Sequence, residues 1–179
     1  MAKKNHNKKS PARKKFKLLP TGIAIFLMIA VVVVLIYTLY DPWKISDQYD
    51  YYAEITIRDY GKITVKLEPD VAPITVQNFV YLAADGFYDG LTFHRIIEGF
   101  MMQGGMSDNP PESIYGEFTQ NGWENNLLHK RGVISMARAN DPDSASSQFF
   151  IMHQDYPSLN GKYAAFGYVV DGIEVVDAV

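Results

Sequence analysis

A chain of 179 residues, 47% hydrophobic and 13% aromatic, has the length and apolar content for one folded core plus extensions, which excludes a wholly disordered protein. It contains no cysteine, so disulfides, thiol nucleophiles and lipid attachment through sulfur are excluded. The net charge of −3 conceals an asymmetry: residues 1–17 carry eight Lys or Arg and no acid, which leaves nine basic against twenty acidic residues, a balance of −11, in the remainder.

Taken alone, the basic run of residues 1–17 would suit nucleic acid. The next segment points to a membrane instead. Leu18 to Tyr40 is a stretch of 23 residues without a charge, and roughly 20 apolar residues suffice to cross a bilayer core as a helix. Pro20 falls in the first turn, where proline is tolerated. Positive charge on the N-terminal side and Asp41 on the other predict a cytoplasmic tail at 1–17, a transmembrane helix at 18–40 and an extracytoplasmic remainder. A cleaved signal peptide would have a shorter apolar run, about 7–15 residues, ending in small side chains. Here the run is longer and ends in "YTLYDPW", so an uncleaved single-pass anchor is expected. Residues 41–50 make a short linker, with Tyr40 and Trp43 suited to the membrane interface.

From Tyr51 to the last residue the pattern is that of one mainly β domain. "YYAEITIRDYGKITVKLEP" alternates as two strands joined around "DYGK", with Gly61 at the turn. Ala53, Ile55 and Ile57 share a face with Ile63, Val65 and Leu67. "DVAPITVQNFVYLAADGFY" then predicts a helix with Pro73 near its start, Val76, Phe79, Val80 and Ala83 on its buried face, and Gly86 as its stop. Five short apolar runs come next, "LTFHRII", "GFMMQGG", "GVISMAR", "SQFFIMH" and "AAFGYVV", each bounded by Gly, Pro or Asn. Strands of this kind suggest a sandwich or barrel rather than βαβ units. Between them "NPPESIYGEFTQNGWENN" is a long loop, "ENNLLHK" has the pattern of one helical turn, and "GIEVVDAV" opens a second helix.

Several chemistries are absent from the pattern. There is no G-x-S-x-G and no Ser, His and Asp constellation for a hydrolase. His6, His94, His129 and His153 are scattered without a metal-ligand spacing, and His94 reads as a hydrogen-bonded structural histidine within a strand. The glycines of "QGGMS" lack the lysine and helix start of a phosphate loop. No acid pair lies in a distinctive motif for glycosidic chemistry. What remains is a set of polar groups framed by apolar ones: Arg95, Gln103 and Gln148.

The segments "FHRIIEGFMMQGG", "GVISMARANDPDSASSQFFIM" and "LNGKYAAFG", in this order, resemble the signature segments of the cyclophilin-type peptidyl-prolyl cis-trans isomerases, and "ITVKLEPDVAPITVQNFVYLA" resembles that family's first hairpin and helix. The "DPDSASSQFF" loop is similar to that of bacterial members. The resemblance implies an eight-stranded antiparallel barrel capped by helices, from which this sequence, ending at "GIEVVDAV", lacks the C-terminal closing strand. It also implies an enzyme that speeds rotation about the bond before proline and needs no metal or organic cofactor.

By the same resemblance Arg95 donates to the twisted substrate amide and Gln103 orients it, while Phe100, Met101, Phe150 and Leu159 form the proline pocket with Tyr163 as a wall. Gln148 is a substrate-side polar position, and Ala137 with Arg138 contacts the preceding residue, largely through backbone. Many members have asparagine where Arg138 stands and proline where Glu98 stands. Ser158 and Tyr163 replace the tryptophan and histidine of members that bind cyclosporin tightly, so weak binding of that drug is expected. The implied partners are proline-containing polypeptides, exported ones given the anchor, and the bilayer itself. Two alternatives share these residues: a proline-peptide binding module without catalysis, which would need the aromatic pocket but not Arg95 with Gln103, and a membrane-tethered holdase, which would need neither.

Overall fold

The structure, a computed structural model, describes residues 49–179 and, before them, Ile29, which is helical. The expected basic tail, the rest of the membrane-spanning segment and most of the linker lie outside the described residues. Among the described residues no helix is long and apolar enough to cross a membrane.

Strands β1 (Tyr51–Ile57) and β2 (Gly61–Leu67) form the expected hairpin, in register from Tyr51 opposite Leu67 to Ile57 opposite Gly61. Because successive strand side chains point to opposite faces, Ile63, Val65 and Leu67 enter the core and Ala53, Ile55 and Ile57 pack against it. The turn takes its left-handed residue at Asp59, with φ 68°. Asp accepts that conformation more readily than most residues, so the reversal does not rest on Gly61 alone.

Helix α1 (Pro73–Ala84) begins with Pro73 in its first turn and buries Thr75, Val76 and Phe79. Ala83, expected on that face, is exposed. Ala72 stands at the helix N-cap and has no side chain to satisfy the first N–H groups. Glu117 supplies the missing acceptors from a distant loop: its carboxylate, wholly buried, accepts from Ile74 N–H at 3.0 Å and Thr75 N–H at 2.7 Å.

The five apolar runs become β3 (Arg95–Ile97), β4 (Met101–Gly104), β5 (Val133–Met136), β6 (Phe149–Met152) and β7 (Ala165–Asp171), and the chain ends in helix α2 (Ile173–Ala178). All seven strands join one antiparallel sheet in the order β1-β2-β7-β5-β6-β4-β3. The architecture is therefore a cyclophilin-like half-barrel of seven strands, with β1 and β3 at its edges and no eighth strand among the described residues.

"ENNLLHK" is not a helical turn. Its groups are engaged over long range: the Asn125 side chain donates to Glu117 O and Ala165 O, each at 2.9 Å, and Asn160 Oδ1 accepts from His129 N–H at 2.8 Å. Single turns of 3-10 helix form instead at Thr119–Asn121 and Pro157–Leu159.

The sheet buries both of its faces. On one, Met102, Ile134, Phe149, Ile151 and Phe166 join the hairpin residues and α1 in the main core. On the other, Met101, Val133, Phe150, Met152 and Ala165 form a second cluster. Strand alternation alone sorts neighbours such as Met101 and Met102 into different clusters.

Candidate active site

The second cluster is where the expected site residues meet. Phe100, Ala137, Leu159 and Tyr163, all only partly buried, pack against Met101 and Phe150. The cluster thus has a deep floor of side chains from β4 and β6 and a half-open rim contributed by turns. Phe150 meets Tyr163 edge to face with centroids 5.7 Å apart, and Phe100 is braced by Tyr156 at 4.5 Å, separations at which aromatic rings attract.

Two glycines let the polar residues stand beside this cluster. A side chain at Gly104 would press on the Phe93 ring at 3.0 Å. One at Gly105, with φ 78°, would meet the Ser147 carbonyl at 2.5 Å. Their absence lets the end of β4 lie against the segment carrying Gln148, and Ser147 Oγ donates to Gly105 O at 2.8 Å to hold it there.

Register then places Arg95 on β3 opposite Gln103 on β4, and Gln103 opposite Phe150 on β6. Gln103 Oε1 accepts from Arg95 Nη1 at 3.5 Å, and Gln103 Nε2 donates to Gln148 Oε1 at 2.9 Å. The amide of Gln103 therefore links the cation to the second glutamine. Arg95 also reaches Met101 Sδ at 4.0 Å and lies 6.0 Å above the Phe100 ring. It is exposed, and among the described residues no carboxylate pairs with it. The result is an unneutralised planar donor at the edge of a partly exposed apolar cluster.

Ala137 is tied to the same region through its N–H, which donates to Gln148 O at 2.9 Å. Arg138 was expected to matter through its backbone, yet its side chain also has partners, donating to the carbonyls of Lys162, Ala139 and Asn140. The guanidinium lies between Phe118 and Tyr163, 5.0 and 4.8 Å from the ring centroids. Ser158, by contrast, is exposed on the Pro157–Leu159 turn and adds no bulk to the rim.

Beneath the cluster lies a residue that the spacing of histidines did not single out. His129 is buried, stacks on Phe150 at 6.0 Å, and lies edge-on to Tyr163 at 6.4 Å. Its Nδ1 lies 3.2 Å from Asn160 Oδ1 and its Nε2 3.0 Å from Ser135 Oγ. An amide oxygen can only accept, so Nδ1 carries the proton and Nε2 accepts from the serine hydroxyl. Burial pushes the imidazole pKa down, opposed in part by the Asn160 hydrogen bond. His129 is thus a buried, hydrogen-bonded histidine, and His153 Nδ1 accepts from Gly99 N–H at 3.0 Å, whereas His94 is exposed just before β3. Among the described residues no group of three or more His, Asp or Glu is placed to hold a metal ion.

The model of the cyclophilin type peptidyl-prolyl cis-trans isomerases matches residues 52–179. The chain belongs to this family. Its sequence is 45% identical over 119 residues to peptidyl-prolyl cis-trans isomerase B of Bacillus subtilis, a match spanning 66% of this chain and 82% of that protein. It is 44% identical over 125 residues to peptidyl-prolyl cis-trans isomerase A of Dickeya dadantii, spanning 66% of each. Among solved structures, a cyclophilin type isomerase of Cryptosporidium parvum is similar with a TM-score of 0.65 and 32% identity, over 73% of this chain and 83% of that one. The same Cryptosporidium protein in the presence of the dipeptide ala-pro gives a TM-score of 0.64 at 32% identity, over 72% and 84%.

Proposed function

We propose that this chain is a bacterial, membrane-anchored isomerase that accelerates rotation about Xaa-Pro bonds in polypeptides outside the cytoplasm. The observation that carries the catalytic reading is the Arg95, Gln103, Gln148 chain beside a half-open apolar cluster. Rotation of the prolyl amide faces a barrier of about 18–20 kcal/mol because it destroys resonance. At the twisted geometry the nitrogen regains its lone pair, so a donor fixed where that pair develops binds the transition state better than either ground state.

In this reading Arg95 is that donor, and the unpaired cation of the site suits the role. Gln103 holds its fork through Oε1, and Gln148 holds Gln103. Phe100, Met101, Phe150, Leu159 and Tyr163 receive the proline ring, while Ala137 and Arg138 flank the residue before it. No proton is moved and no bond is broken, in keeping with a site whose polar groups are the guanidiniums of Arg95 and Arg138 and the amides of Gln103 and Gln148.

The domain boundaries that support the placement are a basic tail at 1–17, a single span at 18–40, a linker at 41–50 and the isomerase domain from 51 to 179. Proline-containing segments emerging from the export machinery would then be the clients, and cyclosporin would bind weakly because Ser158 offers no indole. The test is cis/trans exchange of an Ala-Pro peptide followed by NMR with the folded full-length chain in a neutral detergent. Acceleration is expected, and a folded chain that leaves the exchange rate unchanged overturns the enzyme. Protease added outside sealed, right-side-out vesicles should digest the domain and spare residues 1–17; a protected domain overturns the placement.

A further inference from the structure

We infer that Arg138 is a specificity-determining residue whose guanidinium favours substrates carrying an acidic side chain immediately before the proline. This inference rests on the isomerase reading of the site. Arg138 follows Ala137 on the turn leaving β5, and its cation lies over the Tyr163 ring, 4.8 Å from the centroid, at the rim of the second cluster. A peptide seated in that cluster would pass its preceding side chain across this ring.

The group is fixed without being neutralised. Nε and Nη2 donate to Lys162 O at 3.1 and 2.9 Å, and Nη1 donates to Ala139 O at 2.9 Å and Asn140 O at 3.3 Å. All of these acceptors are uncharged carbonyls, and the guanidinium also lies over the Phe118 and Tyr163 rings. Among the described residues no carboxylate pairs with Arg138, although the sequence is rich in acids. Lys62, Lys66 and Arg131 by contrast each face one.

The acids nearest in sequence are committed elsewhere. Asp141 Oδ1 accepts from Asp143 N–H at 2.9 Å, and Asp143 Oδ1 accepts from Gly116 N–H at 2.9 Å and from Asn121 Nδ2 at 2.8 Å. Of the five N–H groups of a guanidinium, these carbonyl contacts leave one on Nη2 free. A substrate carboxylate would therefore gain the field of the cation and a single charge-assisted hydrogen bond, not a bidentate clamp.

The experiment compares Glu-Pro, Ala-Pro and Lys-Pro peptides of otherwise identical sequence, with the full-length chain in neutral detergent, by NMR exchange rates and by NMR titration of binding. An exposed ion pair corresponds to a Glu over Lys preference of about threefold to fivefold. In about 0.5 M salt, where screening acts within a few ångströms, that ratio should fall toward one. Arg138→Gln should also bring it toward one, and Arg138→Lys should retain most of it. A ratio near one in the parent chain, or one unchanged in folded Arg138→Gln, overturns the inference. If Arg138→Gln does not fold, the salt series on the parent chain decides by the same criterion. Ala-Pro separates this result from the enzyme reading: without Ala-Pro acceleration the isomerase fails, while the ratio of binding constants still decides whether Arg138 selects acids.

Discussion

Phe150 and Ile151 are neighbours on β6, and they belong to different clusters. Ile151 packs with Phe149, Phe166 and the helix residue Phe79, in a core where Phe79 meets Phe149 and Phe166 ring to ring. Phe150 lies on His129, faces Tyr163 and stands opposite Gln103. The first face is closed by helix α1 and the hairpin; the second is rimmed by half-buried Phe100, Leu159 and Tyr163. One sheet thus closes its main core on one side and carries the proposed site on the other. The polar network of the second side is tolerated because nearly every member has a partner in hand.

That division can be broken from the core side with the largest effect. Phe166→Ala removes a ring that is wholly buried and touches Phe79, and should cost about 3–5 kcal/mol in urea unfolding. Exchange catalysis per folded molecule should stay near the parent rate, since Phe166 does not reach the site cluster. A smaller effect comes from His129, whose pKa is lowered chiefly by burial. A depressed histidine favours the neutral form in the folded state, so between the folded and unfolded pKa values the unfolded chain binds more protons. Its contribution is present above the ordinary histidine range and is lost as pH falls through it, at up to about 1.4 kcal/mol per pH unit. The urea midpoint should therefore drop from about pH 7.5 to about pH 5, and His129→Gln should flatten that dependence. The smallest effect sharpens the site side: Gln148→Ala removes one hydrogen bond from Gln103. It should lower kcat/KM about threefold to tenfold with little change in stability.

The two faces were not equally legible in the sequence. The hairpin and α1 can be read from period-two and helical spacing because each buries one face only. Strands β5 and β6 are buried at every position, so alternation vanishes and nothing in "VISM" or "FFIM" says which residue faces the site. The resemblance to family motifs supplied an expectation, and Phe100, Met101, Ala137, Phe150, Leu159 and Tyr163 pack together in the second cluster. His129 stayed hidden because its partners Ser135 and Asn160 are brought to it only by tertiary packing. The engaged side chain of Arg138 was hidden for the same reason, since Phe118 and Lys162 come from remote turns. "ENNLLHK" misled because side chains of Asn125 and Asn160 outcompete the local i to i+4 pattern.

The central claim is that catalysis belongs to the second face and to Arg95 in particular, and one paired measurement on Arg95→Ala tests it most directly. Ala-Pro exchange by NMR and urea unfolding would be recorded on the same full-length sample. Arg95 is exposed, and among the described residues its guanidinium meets Gln103, Met101 and the Phe100 ring, so the account predicts an unfolding midpoint close to the parent value. It also predicts a loss of about 100-fold or more in catalysed exchange, the scale on which removal of a transition-state donor is felt. A variant that unfolds at the parent midpoint and catalyses exchange at the parent rate would contradict it.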